Sequence, residues 1–156
     1  MSRKKKKPVP VEVVQVKNPA ALQMEDVVGL FRRAFDKHPW VDGKQIIDVL
    51  LFNDLEQDVG CFLARRGIEG WVGLAIIMAP EGNLFPYPMV YWLYGGGAAS
   101  RDALCRACVQ WAQEHGFQTV ITANYRMDRS RAFVKVFGRL VRQAKVVGQV
   151  VAFDVR

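Results

Sequence analysis

Residues 94–116, YGGGAASRDALCRACVQWAQEHG, decide how the rest of the sequence is interpreted. Three glycines lead into a stretch whose apolar residues recur at helical spacing, and Gly116 ends that stretch. The pattern predicts a helix from Ser100 to His115, with Ser100 as a candidate N-cap. Glycines let backbone N–H groups approach an anion, and the positive end of the helix dipole favours negative charge. The turn therefore either binds phosphate or only connects a strand to a core helix.

The segments around this turn alternate between strand-like and helix-like patterns. Strands are expected at 11–17, 58–66, 70–80, 86–95 and 117–124 and, as two pieces, within 140–155. Helices are expected at 18–38, 44–57, 100–115 and 129–137. The order β-α-α-β-β-β-α-β-α-β-β predicts an α+β fold, in which helices flank a mixed, mostly antiparallel sheet.

Composition predicts one domain behind a basic arm. The chain has 156 residues, 51% of them hydrophobic, which suits a single domain over residues 11–156. The net charge is +7, and removing the five charges of Arg3–Lys7 leaves +2, so residues 1–10 are expected to form a flexible basic arm. No apolar run approaches membrane-spanning length, and no apolar segment typical of a signal peptide follows the arm. A cytoplasmic location is expected.

Three cysteines in no disulfide-scaffold spacing also favour a reducing compartment. Cys105 and Cys108 have the spacing of half a zinc site, but no second pair of ligands follows. On a helix, Cys108 shares a face with Leu104 and Trp111. We therefore expect core thiols and no metal site.

The element order, with a glycine-rich turn between a middle strand and a long helix, resembles the GNAT N-acyltransferase superfamily. Residues 103–122, ALCRACVQWAQEHGFQTVIT, look like that family's central helix and following strand. Residues 131–141, RAFVKVFGRLV, look like its later helix. The resemblance implies a small, degenerate member of the superfamily, and a phage source is one interpretation.

This resemblance implies that acyl-coenzyme A, in particular acetyl-CoA, is bound. The family's pyrophosphate loop, Arg/Gln-x-x-Gly-x-Gly/Ala, falls on Gly96, Gly97, Ala98, Ala99, Ser100 and Arg101. Gly96 stands where the family has Arg or Gln, and Ala99 stands where it has Gly. Arg101 replaces a small residue, so its side chain either blocks the phosphates or binds them.

The resemblance also assigns the pantetheine arm of the cofactor. Strand residues Val90, Tyr91, Trp92 and Leu93 would pair with it as an added strand does. Because the strand period is two, Tyr91 and Trp92 are expected on opposite faces, one in the core and one beside a cleft. Asn124 would hydrogen-bond the arm in the gap between two strands, or cap the turn that follows.

The resemblance also bears on the catalytic residues. The family's usual acid, a tyrosine, would fall on Val134, so Tyr125 is the candidate replacement, with a surface tyrosine as the alternative. On the acceptor side, residues 35–43 carry His38, a candidate base, whose alternative is a histidine stabilised by a helix end. Glu69 and Glu81 are further candidate bases, each with a solvated hairpin carboxylate as the alternative.

A basic segment, Arg126–Lys145, follows the proposed cofactor strands. Its residues, Arg131 among them, would bind the 3′-phosphate of coenzyme A, or the backbone of a nucleic acid, or water only. Two functions follow. The first is an acyl-CoA-dependent N-acyltransferase acting on an amine. The alternative is a catalytically impaired GNAT-fold module that binds nucleic acid or an acidic protein through Arg3–Lys7 and Arg126–Lys145.

Overall fold

The computed structural model describes Lys7, residues 9–82 and residues 86–122, all within one compact unit of the chain, residues 1–123. The expected arm, apart from Lys7 and the residues at 9–10, lies outside the described residues. So do the expected helix at 129–137 and the strands within 140–155. In the part that is described, no helix is long and apolar enough to cross a membrane.

Five strands and three α-helices make up the described fold. The strands are β1 (Val11–Gln15), β2 (Val59–Arg66), β3 (Trp71–Met78), β4 (Met89–Gly95) and β5 (Ile121–Thr122). The α-helices are α1 (Glu25–Lys37), α2 (Gly43–Phe52) and α3 (Ala98–Glu114). The sheet order is β1-β2-β3-β4-β5, antiparallel throughout except for the parallel pair β4–β5. The predicted α+β fold with a mostly antiparallel sheet is confirmed.

Helices cover both faces of this sheet. On β2, adding a Cβ to Gly60 would bring it to 3.1 Å from Trp111 of α3, whereas its neighbour Cys61 lies among α1 and α2 residues. On β3, a Cβ on Gly73 would lie 3.0 Å from Leu104 of α3. Since successive strand residues face opposite sides, α3 covers one face, and α1 with α2 covers the other.

The main apolar core lies between the sheet and α1 and α2. We refer to these buried residues as the core cluster: Val16, Val27, Leu30, Phe31, Ala34, Ile46, Leu50, Leu55, Val59, Cys61, Leu63, Leu74, Ile76 and Trp92. In α1 the buried positions recur at i, i+3, i+4 and i+7, so one apolar stripe of the helix packs on the sheet.

Two helices are shorter than predicted. Asn18 accepts a hydrogen bond from the Ala20 amide, but it caps a 3₁₀ turn, Pro19–Gln23. The extended backbone of Met24 separates this turn from α1. The helix α2 ends at Phe52 rather than near residue 57, because Asp54 accepts hydrogen bonds from the next backbone amides and forms a turn of its own.

The cysteines lie in the protein interior. Cys61, Cys105 and Cys108 are free and buried, so the core-thiol prediction is confirmed. Burial raises the pKa of Cys61 and of Cys105 to about 12, and it also raises the pKa of Cys108. Among the described residues, no group of three or more His, Cys, Asp or Glu side chains could hold a metal ion.

Candidate functional site

The turn from β4 into α3 leaves backbone N–H groups without a cap. Gly97 is the N-cap residue and has no side chain that could accept a hydrogen bond. The first intrahelical bond runs from the Arg101 amide to the Gly97 carbonyl, at 3.1 Å. The amides of Ala98, Ala99 and Ser100 precede that bond and have no acceptor one turn earlier in the helix. Gly97, Ala98 and Ala99 are exposed, so this helix start offers donors to an anion.

Gly97 is required by the backbone conformation of the turn. Its φ of +139° and ψ of 172° fall in a region that is essentially restricted to glycine. The two preceding glycines are needed for a different reason: neighbouring atoms lie too close to leave room for a Cβ. A Cβ on Gly96 would lie 2.8 Å from the Val72 carbonyl oxygen, and a Cβ on Gly95 would collide with Cγ of Arg101. Gly95 and Gly96 therefore serve packing, and Gly97 serves the backbone conformation of the turn.

Ser100 does not have the role that its sequence position predicts. It is the third residue of α3, so the prediction of an N-cap at Ser100 was wrong. Its side chain is fully buried, and its Oγ has no hydrogen-bond partner among the described residues. Buried hydroxyl groups are normally satisfied, so this one requires an explanation.

Two arginines lie at the same end of the sheet. The stem of Arg101 lies against Gly95, and the residue is exposed. Arg66, at the end of β2, places Nη1 at 3.7 Å from the position that a Cβ on Gly97 would occupy. Sequence analysis missed Arg66, because no local signal links a hairpin arginine to a turn far along the chain.

A β-bulge interrupts β4 where the resemblance places the pantetheine arm. Ile76 pairs with Trp92 and Ile77 pairs with Val90, so Tyr91 is the extra residue. Trp92 belongs to the core cluster and Tyr91 packs against the same cluster, so the alternation expected for these two residues does not hold here.

The edge of β4 that faces away from β3 pairs with β5. Within the described residues, β5 pairs with β4 at Met89 and Val90 and no further.

His38 joins the α1–α2 connection to β4. The indole Nε1–H of Trp92 donates a hydrogen bond of 2.8 Å to Nδ1 of His38. The His38 ring stacks on Trp40, with centroids 4.9 Å apart, and meets the edge of Tyr94 at 5.6 Å. Phe35 in turn stacks on Trp92 at 5.1 Å. The predicted acceptor segment therefore contacts the predicted cofactor strand.

The hydrogen bond from Trp92 decides which proton His38 carries. A neutral imidazole that accepts through Nδ1 holds its proton on Nε2. Burial lowers the pKa of His38, which favours this neutral form. The lone pair of Nδ1 is engaged, so in this arrangement the free nitrogen of His38 is a donor.

The carboxylates of Asp42 and Glu69 each have a structural partner. The carboxylate of Asp42 caps α2 by accepting from the amides of Lys44 and Gln45, at 3.0 and 3.2 Å. Glu69 is exposed and forms an ion pair with Arg66.

A surface cavity of about 430 Å³ lies along α2, but neither β4 nor the turn at 95–101 contributes to its lining.

Several predicted site residues lie outside the described residues. They are Asn124, Tyr125 and Arg131, together with Val134, the segment Arg126–Lys145 and Arg3–Lys7 apart from Lys7. Their roles stay predictions.

Comparison with solved structures identifies the fold. An aminoglycoside acetyltransferase from an uncultured soil metagenomic sample, in complex with sisomicin, is 18% identical with a TM-score of 0.59, covering 94% of this chain and 95% of its own. The aminoglycoside N-acetyltransferase AAC(6')-Iy, in complex with CoA, is 12% identical with a TM-score of 0.67, covering 96% and 97%. The chain has a GNAT-like fold. A ribosomal-protein-alanine N-acetyltransferase from Brucella melitensis biovar Abortus 2308 is also similar, at 15% identity and a TM-score of 0.55, covering 92% and 99%. No protein-family model and no curated protein sequence matches the chain.

Proposed function

We propose that this protein is an N-acyltransferase that transfers an acetyl group from acetyl-coenzyme A to an amine. The observation that carries the proposal is the uncapped start of α3, where the amides of Ala98, Ala99 and Ser100 follow β4 directly. The GNAT-like fold supports it, because similar solved structures are named acetyltransferases and one of them is in complex with CoA.

The residues of the turn fit an anionic group such as a pyrophosphate. Exposed amides at the positive end of a helix attract phosphate, and Gly97 lets the chain take the required conformation without a side chain in the way. The buried hydroxyl of Ser100 is a further donor whose partner is missing among the described residues. In this proposal residues 97–101 hold the pyrophosphate.

The pantetheine arm is assigned to the edge of β4. This edge is paired with β5 at Met89 and Val90 in the described part, and the bulge follows at Tyr91. An extended ligand could add to such an edge through main-chain hydrogen bonds. Because Val90 already pairs with Thr122 of β5, the arm is proposed to bind beyond it, at Trp92 and Leu93, with Asn124 and Arg131 as the proposed contacts from outside the described residues.

When bound, acetyl-coenzyme A would supply the acetyl group as a thioester: the neutral acceptor amine would form a C–N bond as the C–S bond breaks, would lose a proton to water, and the departing sulfur would take up a proton. Tyr125 is proposed as the donor of that proton, as the candidate replacement for the family's tyrosine, whose position falls on Val134. His38, whose Nδ1 accepts from Trp92, is assigned a positioning role, because it fixes the α1–α2 connection against β4. Its Nε2–H can donate to an acceptor substrate but cannot remove a proton from one.

Calorimetric titration of acetyl-CoA into the full-length protein tests the binding step. We expect binding by the wild type and affinity at least about 10-fold weaker in Gly97→Ala, because alanine disfavours the φ of +139° and the turn that presents the donors must rearrange. Gly116→Ala is the matched control: Gly116 also has a positive φ, +83°, but lies at the other end of α3. Absence of binding at millimolar acetyl-CoA, or equal affinity in Gly97→Ala, would contradict the proposal.

A transfer assay tests the reaction itself. Release of coenzyme A thiol is followed by a disulfide reagent, with aminoglycosides and peptides with free α-amino groups as acceptors. The buried cysteines of the protein keep the background low. Amine-dependent thiol release is expected with at least one of these acceptors, and binding of acetyl-CoA with no transfer to any of them would leave a binding module rather than an enzyme.

A further inference from the structure

The guanidinium of Arg66 is held beside the start of α3 by an ion pair. Its Nε and Nη2 both donate to Oε2 of Glu69, at 3.1 and 2.6 Å. These two nitrogens form one edge of the planar group, so Glu69 uses that edge. Nη1 remains, 3.7 Å from the Cβ position of Gly97, and no acceptor among the described residues pairs with it. The Arg66 side chain is 29% exposed, so the charge is partly shielded from water.

The sheet directs Arg66 and its neighbour to opposite faces. The guanidinium of Arg65 lies over the ring of Trp71, 5.4 Å from the centroid. Trp71 donates a hydrogen bond to Asp26 of α1, so Arg65 belongs to the α1 face of the sheet. Arg66 lies on the α3 face, as the two-residue strand period requires. Two adjacent arginines with carboxylate partners therefore differ in whether they reach the turn at Gly97.

A second, independent observation at this turn also points to a ligand. The Oγ of Ser100, in the first turn of α3, is fully buried and has no partner among the described residues. A buried hydroxyl without a partner is unfavourable, and a ligand oxygen that enters this turn would satisfy it.

We infer that Arg66 donates a charge-assisted hydrogen bond to the pyrophosphate of coenzyme A. This rests on the proposed function, because it presumes that acyl-coenzyme A is bound at residues 97–101. The resemblance expects an Arg or Gln at the first loop position, and Gly96 stands there without a side chain. Arg66, from the hairpin between β2 and β3, supplies the missing donor from a different element, and Glu69 positions it. Arginine suits this contact because its planar group can donate to Glu69 along one edge and still donate to a phosphate oxygen through Nη1.

The test compares two ligands across four proteins. Coenzyme A and pantetheine, which lacks the phosphates, are titrated by calorimetry into the wild type, Arg66→Gln, Arg66→Lys and Arg65→Gln. We expect Arg66→Gln to weaken coenzyme A binding by about 10- to 100-fold, the range for loss of a hydrogen bond between charged groups. Arg66→Lys should restore part of this loss, because the charge remains but the fork is gone. Arg65→Gln should bind as the wild type does, and no variant should change pantetheine binding.

The outcomes separate this inference from the proposed function. If the wild type binds coenzyme A and Arg66→Gln binds it equally well, the role of Arg66 is refuted while the proposed function stands. An equal loss in Arg65→Gln would also refute it, since the effect would then be one of overall charge. If the wild type binds no coenzyme A, both the inference and the proposed function fail. Thermal unfolding of each variant checks that the fold is intact, as expected for an exposed ion pair of small energy.

Discussion

Replacing Trp92 by Phe would test the contact that joins the α1–α2 connection to β4. Trp92 is 5% exposed, donates to Nδ1 of His38 at 2.8 Å and stacks on Phe35. Phenylalanine keeps an aromatic ring for the stacking but has no N–H group. The substitution therefore removes the hydrogen bond and part of the buried volume while the rest of the core cluster stays in place.

The expected cost is about 2–3 kcal/mol at neutral pH. A hydrogen bond of this kind contributes about 0.5–1.5 kcal/mol net. The half-buried His38 can turn its freed nitrogen toward water, so its desolvation adds little. The volume lost from a fully packed position adds about 1–2 kcal/mol, less than the about 3–5 kcal/mol of a large aromatic residue replaced by alanine.

The pH dependence of the free energy of unfolding tests this contact more specifically than the size of the stability loss does. Burial lowers the folded-state pKa of His38 below its usual 6.5, so the unfolded chain takes up the proton first as the pH falls. The stability contribution is complete above 6.5 and is lost as the pH falls through the lowered folded-state value. In the wild type, protonation also costs the hydrogen bond from Trp92. Trp92→Phe has no such bond to lose, so its stability should fall less between about pH 7.5 and about pH 5.

Urea unfolding followed by far-UV circular dichroism at the two pH values measures both effects. Trp71→Phe is the matched control, because its indole N–H donates at 2.8 Å to Asp26 in an exposed pair. That variant should lose less stability and keep the wild-type pH dependence. The reasoning is refuted if Trp92→Phe loses under about 0.5 kcal/mol, or if its stability falls with pH as steeply as that of the wild type.

Three further predictions concern other parts of the fold. Asp42→Ala should destabilise the protein by about 1 kcal/mol through loss of the α2 N-cap, with Asp42→Asn close to wild type, as measured by urea unfolding. Native Cys61, Cys105 and Cys108 should resist a disulfide reagent at about pH 8 and react after unfolding, because their raised pKa values and burial keep the thiols protonated and shielded. Gly60→Ala should cost about 1–3 kcal/mol by overpacking, because its Cβ would lie 2.8 Å from side chains of β2 and β3 and 3.1 Å from Trp111 of α3; unchanged stability would show that these side chains can move away.

Periodicity predicted most of the described fold because each element carries its own pattern. The strands β2 and β3 lie within their predicted segments, since both are long apolar runs bounded by glycine or charged residues. The helix boundaries were less accurate where local hydrogen bonds compete with the helix. Asn18 and Asp54 each form a turn that the apolar periodicity does not show.

The start of α3 illustrates a further limit. Serine is a favoured N-cap, so Ser100 was the natural choice from sequence. The backbone of Gly97 begins the helix earlier, in a conformation that side chains do not adopt, and carries Ser100 into the interior. The general preference for serine at the N-cap does not predict a helix that begins at a glycine with positive φ.

The candidate site was predicted only where its residues are adjacent in sequence. The turn at 96–101 is one continuous segment, and the resemblance located it directly. The bond between Trp92 and His38 joins residues 54 positions apart, and Arg66 reaches Gly97 across the hairpin and two strands. Such pairs depend on strand register and on the bulge in β4, neither of which appears in the residue pattern.

The three glycines of the turn separate what the fold requires from what a ligand requires. Gly95 and Gly96 allow close contacts with Arg101 and with Val72, and a core helix would need these contacts whether or not a ligand binds. Gly97 has open space around its missing Cβ, apart from Arg66, so it is not needed for a close contact. Its conformation has another effect: α3 begins without a side-chain cap, with amides exposed and a guanidinium nearby. Asn or Asp before a helix would be more stable without a ligand. The φ of +139° at Gly97 excludes such a side chain, so the turn gives up a side-chain cap and leaves these amides for the anion that we propose.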